Sequence, residues 1–129
     1  MVGIVVVSHS RKAAEGIAEI ADEMGGEGSV NAVGGTEDGR VGTTPDPIRE
    51  AIEAAGSDGD GVVVVVDLGS AVMNAELAIE MAEVDGEVVM ADAPVLEGAL
   101  NAAVTATSAS ASVESVKQAA EDARDVSKL

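Results

Sequence analysis

Val2-Gly3-Ile4-Val5-Val6-Val7, followed at once by Ser8-His9-Ser10, is the stretch on which the reading of this chain turns. Apart from Gly3 it is β-branched throughout, with no polar residue at alternate positions, so the strand it forms must be covered on both faces. Val62-Val63-Val64-Val65-Val66, ending in Asp67-Leu68-Gly69-Ser70, repeats the pattern. Such strands belong to parallel sheets packed between layers of helix. Weaker strand segments are Ser29 to Val33, which stops at Gly34-Gly35, and Glu87 to Met90, which stops before Pro94.

Helical spacing fills the intervals. Ala14, Ile17, Ala18, Ile20, Ala21 and Met24 recur every three or four residues and predict a helix over Ala13 to Met24, stopped by Gly25-Gly26. Pro47 to Ala55 carries Ile48, Ala51, Ile52 and Ala55 on one stripe, with Thr44 as N-cap and Pro45 in the first turn. A third helix is expected over Ala71 to Glu83 behind a Ser70 cap, a fourth over Val95 to Ala106 and a fifth over Val113 to Val126, with Thr107 to Ser112 between the last two. Strand and helix thus alternate until the closing helices. That order predicts an α/β fold in three layers: an open, mostly parallel four-stranded sheet with helices on both faces.

The 129 residues suit a single domain over 1–129. With 47% hydrophobic residues and a mean hydropathy of +0.25, the chain should fold despite a formal charge of -17. Its core must be aliphatic, because Phe, Tyr and Trp are absent. The same absence removes stacking platforms for bases, and 24 acidic against 7 basic residues repel a phosphate backbone, so nucleic acid is excluded as a partner. At an ionic strength near 1 M the Debye length is about 3 Å, so this acidity fits a protein of concentrated salt. The lack of cysteine excludes thiol catalysis and cysteine-ligated metal. Val62 to Val66, the longest purely aliphatic run, is far short of the roughly 18 residues of a membrane span. No membrane association and a cytoplasmic location are the expectations.

In parallel sheets, chemistry gathers where loops leave the carboxyl ends of strands near a switch in strand order. The first strand delivers His9, the sole histidine, between two serines at the start of a helix. A lone histidine is often only a solvated surface residue, but a strand end opening a helix is a good place to expose an imidazole for chemistry. The third strand delivers Asp67, followed by Gly69, Ser70 and Ala71, whose backbone N–H groups at a helix start suit an anion. Ser70 could equally be a plain cap and Asp67 a solvated carboxylate. Taken together, an imidazole nucleophile, a carboxylate to orient it and amides for a phosphoryl group form a minimal set for phosphoryl transfer, with no metal or other cofactor. Asp67 on one ring nitrogen would present the other, Nε2, to phosphorus.

Ser8-His9-Ser10, Gly34-Gly35-Thr36, Gly42-Thr43, Asp67-Leu68-Gly69-Ser70-Ala71 with Asn74-Ala75-Glu76, and Ala93-Pro94-Val95-Leu96-Glu97-Gly98-Ala99 together make the chain resemble the mannose-type enzyme IIA family, in particular its branch of phosphotransferase subunits serving PTS-dependent dihydroxyacetone kinases. The match runs from Val2 to about Ser110, with the motifs in order. The resemblance implies a phosphotransferase with a phosphohistidine intermediate. His9 would take a phosphoryl group from the histidine phosphocarrier protein of the phosphotransferase system and pass it to ADP on the nucleotide-binding kinase subunit. Asp67 would partner His9, Gly69, Ser70 and Ala71 would line the phosphate pocket, and Gly35, Thr36, Gly42 and Thr43 would form its rim. The family also implies a homodimer. Relatives often carry fused phosphocarrier domains; with none in this sequence, the donor is expected to be a separate protein. Pro45 and Pro47 depart from the family's usual start of helix two.

Arg11 and Lys12 beside His9 form either a solvated first turn or an attractor for a partner or phosphate. Glu97 and Gly98 match the family, but a first-turn Glu is explained by the helix dipole. Alternatives are an enzyme IIA component of a mannose-type sugar transporter and a non-catalytic α/β ligand-binding module. The latter lacks a Walker lysine or GxGxxG after the first strand. A metal chelatase or a histidine phosphatase would each want a second histidine.

Overall fold

The computed structural model describes residues 1–129. Four strands, β1 (Gly3–Ser8), β2 (Val30–Gly34), β3 (Val62–Val66) and β4 (Val88–Met90), form one sheet in the order β2-β1-β3-β4. All three pairings are parallel, where the sequence predicted a mostly parallel sheet. The helices are α1 (Arg11–Gly25), α2 (Pro45–Ala55), α3 (Val72–Met81), α4 (Val95–Ala106) and α5 (Val113–Asp122).

The sheet sits between two cores. Ile4, Val6, Val63 and Val65 meet Ala14, Ala18 and Ala21 of α1, the alanines of α4, and Val116 and Ala120 of α5. Val5, Val7, Val62 and Val64 meet Ile48 and Ile52 of α2 and Ala75 and Ala78 of α3. The strands thus supply branched bulk and the helices mostly alanine, which lets helix backbones approach closely without any aromatic filler. Placing α1 on one face and α2 with α3 on the other is what right-handed crossovers require when the chain reverses direction across β1. That reversal makes the β1/β3 boundary the switch point.

Local chemistry explains where the predicted boundaries moved. Ser10 caps α1, accepting from the Ala13 N–H at 3.2 Å, so the helix starts two residues before the predicted Ala13. Thr44 stands at the N-cap of α2 but its hydroxyl bonds nothing, because one of the two amides a cap would serve belongs to Pro47, which has no N–H. Pro45 and Pro47 both fit in the first turn of α2. Ser70 does not cap α3. Gly69–Ala71 wind as a 3-10 turn, and the cap position falls to Ala71, which has no capping side chain. The last predicted helix stops at Asp122 and continues as a 3-10 turn over Ala123–Asp125. No helix is long and apolar enough to cross a membrane.

Gly34 is a glycine that the site geometry demands. It pairs with Ser8, and a Cβ there would lie 2.7 Å from both the Ser8 and Ser10 carbonyl oxygens. Gly34→Ala should therefore push the strand end that carries His9 and cost about 1–3 kcal/mol of stability, an overpacking penalty. Denaturant unfolding checks this; an unchanged midpoint would show that the strand end yields freely.

Candidate functional site

His9 leaves β1 and Asp67 leaves β3, the two strands flanking the switch point, and the register that pairs Val7 with Val66 brings the residues side by side. The Asp67 N–H anchors to the Val7 carbonyl at 3.0 Å. Its carboxylate then takes donors on both oxygens. Oδ1 lies 2.9 Å from His9 Nδ1, and Oδ2 accepts from the His9 backbone N–H at 3.0 Å and from the Ser8 hydroxyl at 2.9 Å.

This arrangement fixes charge and tautomer together. Partial burial pushes the Asp67 carboxyl up, but the hydrogen bonds from the His9 amide, the His9 ring and the Ser8 hydroxyl outweigh it and hold the group below its ordinary value of 3.8. An ionised Oδ1 facing Nδ1 requires the ring proton on Nδ1. In the neutral ring Nε2 then keeps its lone pair and accepts from the Ser70 hydroxyl, 2.8 Å away. The side chains of His9 and Asp67 are 20% and 19% exposed, enough for a reactant to reach the ring while the pair stays shielded.

A group whose folded pKa is depressed stabilises the fold above its unfolded pKa, and that contribution is lost as pH falls through the folded value. Asp67→Asn should accordingly lower the melting temperature near neutrality, with the difference from wild type shrinking below about pH 4. Melting curves from pH 7 to 3 measure it; a constant difference would mean that Asp67 is not ionised in the fold.

The other predicted site residues divide. Gly69 and Ser70 are exposed, and their N–H groups donate to nothing within the chain. Ala71 does not belong with them: it is fully buried, and its N–H closes the turn on the Leu68 carbonyl at 3.0 Å. Gly42 touches His9 through its backbone, donating to the His9 carbonyl at 2.8 Å. Thr43 braces the same loop, since Asn74 of α3 donates to its carbonyl at 3.1 Å and its hydroxyl at 2.9 Å. Thr36 spends its polar groups on its own loop, donating from Oγ1 to Asp38 and exchanging bonds with the backbone of Arg40, so it offers no hydroxyl to a phosphate. Gly35, at φ +77°, supplies the turn that brings Arg40 toward Arg11.

Sequence reasoning passed over two contributors. Asn74 lies in a quoted motif, yet its link to Thr43 depends on how α3 packs against the loop before α2. Ser8 reads as the polar end of a strand, and only its bond to Asp67 reveals more.

Electrostatics single out the same end of the sheet. Arg40, Arg49, Lys117, Arg124 and Lys128 each meet a carboxylate, whereas Arg11 and Lys12 have none. They line a dent of about 230 Å³ with Ser10, Gly35, Gly39, Arg40 and Val41. Lys128 pairs with Glu97 at 2.8 Å. The largest depression, about 810 Å³, lies at the opposite end of the strands, where Asp60, Glu87 and Glu114 make it unsuitable for phosphate. No cluster of side chains suited to a metal ion occurs.

Residues 3–117 match the EIIA-man family, described as the PTS system fructose IIA component, and the chain belongs to that family. Within it, the similarity runs to subunits of one kinase. The chain is 44% identical over 97 residues, 75% of each chain, to the phosphoryl donor subunit DhaM of PEP-dependent dihydroxyacetone kinase 1 from Listeria innocua. It is 38% identical, over 90% of each chain, to the phosphotransferase subunit DhaM of the PTS-dependent dihydroxyacetone kinase from Lactococcus lactis. Against DhaM of Escherichia coli it is 39% identical over 84% of its own length, which spans 24% of that longer protein. A crystal structure described as that of a protein of unknown function matches with a TM-score of 0.79 at 36% identity, covering 95% of both chains.

Proposed function

We propose that the chain is a phosphoryl carrier that receives its cargo on His9 Nε2 from the histidine phosphocarrier protein of the phosphotransferase system and hands it to ADP on the nucleotide-binding subunit of a dihydroxyacetone kinase. The observation that carries this reading is the hydrogen-bonded line from Asp67 through the His9 ring to Ser70, which keeps Nδ1 protonated and Nε2 nucleophilic. The identity to DhaM subunits supports the kinase rather than a sugar transporter as the destination.

In the loading step the Nε2 lone pair forms an N–P bond as the donor's N–P bond breaks, and the electron pair of that bond returns to the donor imidazole. Ser70 must first turn its hydroxyl away from Nε2, after which that hydroxyl and the free amides of Gly69 and Ser70 face the phosphoryl oxygens. Nδ1 keeps its proton, and ionised Asp67 stabilises the positive character that the ring gains. In the unloading step a terminal phosphate oxygen of ADP attacks phosphorus, the N–P bond breaks toward Nε2, and ATP forms. Exposed amides hold an anion only modestly, each charge interaction at a helix end being worth about 0.3–1 kcal/mol, so the group remains transferable.

Incubation with phosphoenolpyruvate and the phosphocarrier system should add one acid-labile, base-stable phosphoryl group, and ADP on the kinase subunit should remove it. Unchanged mass rejects the carrier role. Loading without discharge to the kinase, but with discharge to a sugar-transporter component, reassigns the acceptor.

A further inference from the structure

We propose that Ser8 is a positioning residue of this site, acting on His9 through Asp67; its effect on rate rests on the carrier reading above, its effect on the ring tautomer on geometry alone. Ser8 ends β1 in the row of Ile4 and Val6, whose side chains lie in the core beneath α1, α4 and α5. It is 1% exposed. A hydroxyl in a buried aliphatic row is costly unless its donor and acceptor are both used. Here they are. Ser8 Oγ accepts from the Ser10 N–H at 3.1 Å and donates to Asp67 Oδ2 at 2.9 Å.

These bonds have a direction. Because the Ser10 amide occupies a lone pair of the hydroxyl, the Ser8 proton points to Asp67. The His9 backbone N–H reaches the same Oδ2 at 3.0 Å, so two consecutive residues of one strand end grip that oxygen. The carboxylate plane is thereby set, and Oδ1 is turned to Nδ1 at 2.9 Å. Without Ser8, Oδ2 is held by the His9 amide alone, the carboxylate plane is free to tilt about that bond, and the ring then exchanges between Nδ1–H and Nε2–H forms, the second of which has no lone pair at the reacting atom. Ser8 touches no reactant and works by denying Asp67 that rotation.

The test measures His9 in two ways. Phosphoramidate, a small phosphoryl donor that needs no docking surface, should label Ser8→Ala about tenfold more slowly than wild type, the size of one hydrogen bond to a charged group. The ¹⁵N spectrum of His9 should show an increased share of the Nε2–H tautomer. Ser8→Thr, which keeps the hydroxyl, should recover both. In an Asp67→Ala background, Ser8→Ala should change the rate by less than about twofold, since its action passes through the missing carboxylate. Equal slowing in both backgrounds, or a wild-type rate and tautomer in Ser8→Ala, overturns the assignment. Should the alanine variant not fold, Ser8→Cys, a weak donor of similar size, serves the same comparison. Labelling of wild type by phosphoramidate without transfer from the protein donor would remove the carrier reading and leave Ser8 to be judged by its tautomer.

Discussion

His9→Ala is expected to lower phosphoryl loading by more than about 1000-fold, to the detection limit, as removal of a covalent nucleophile commonly does. Nothing nearby can replace it. The chain has no other histidine and no cysteine, and the neighbouring oxygen nucleophiles give different products. A phosphoserine at Ser70 would survive acid, and an acyl phosphate on Asp67 would not survive base, so the stability of any residual label identifies its position. The fold should persist, because the ring is at a half-buried strand end rather than in either core, and it bonds only Asp67 and Ser70. Intact-mass measurement after incubation with the phosphocarrier system, beside a melting curve, decides the matter. A folded His9→Ala protein that still gains an acid-labile phosphoryl group would place the chemistry elsewhere.

Asp67→Ala should slow loading by about 10- to 1000-fold, the range of orienting and acid–base effects. Two losses combine. The ring is no longer restricted to the Nδ1–H form, so only part of the population presents a lone pair at Nε2, and the positive charge developing on the ring loses its counter-ion. The backbone should tolerate the change, since the Asp67 N–H bond to Val7 does not involve the side chain. Single-turnover rates for both proteins, with the donor in excess, supply the ratio. Equal rates would take the carboxylate out of the mechanism.

Much of this arrangement is legible in the sequence, and the limits are physical. β-Branched runs at Val2–Val7, broken only by Gly3, and at Val62–Val66 reveal buried parallel strands, and apolar spacing locates five helices to within a few residues. His9 and Asp67 follow because strand ends in a doubly covered sheet converge at the switch point. What escapes is hydrogen-bond allocation over short distances. Gly69-Ser70-Ala71 reads as an open helix start, yet a 3-10 turn consumes the Ala71 amide and frees the Ser70 hydroxyl for the ring. Gly35-Thr36 is a pocket rim by family resemblance, but Thr36 closes on Asp38 and Arg40. Ser8 and Asn74 matter through residues 59 and 31 positions away, and no local pattern announces such pairings.

The all-aliphatic interior makes His9 the sole aromatic ring of the molecule. In a proton spectrum its carbon-bound hydrogens stand apart from every aliphatic signal, without the crowd that phenyl and indole groups normally add. Unlabelled protein can thus report its own titration, its own cargo and its own turnover from a single pair of resonances. Absorbance at 280 nm, by contrast, is almost nil, and quantification must rely on the peptide bond.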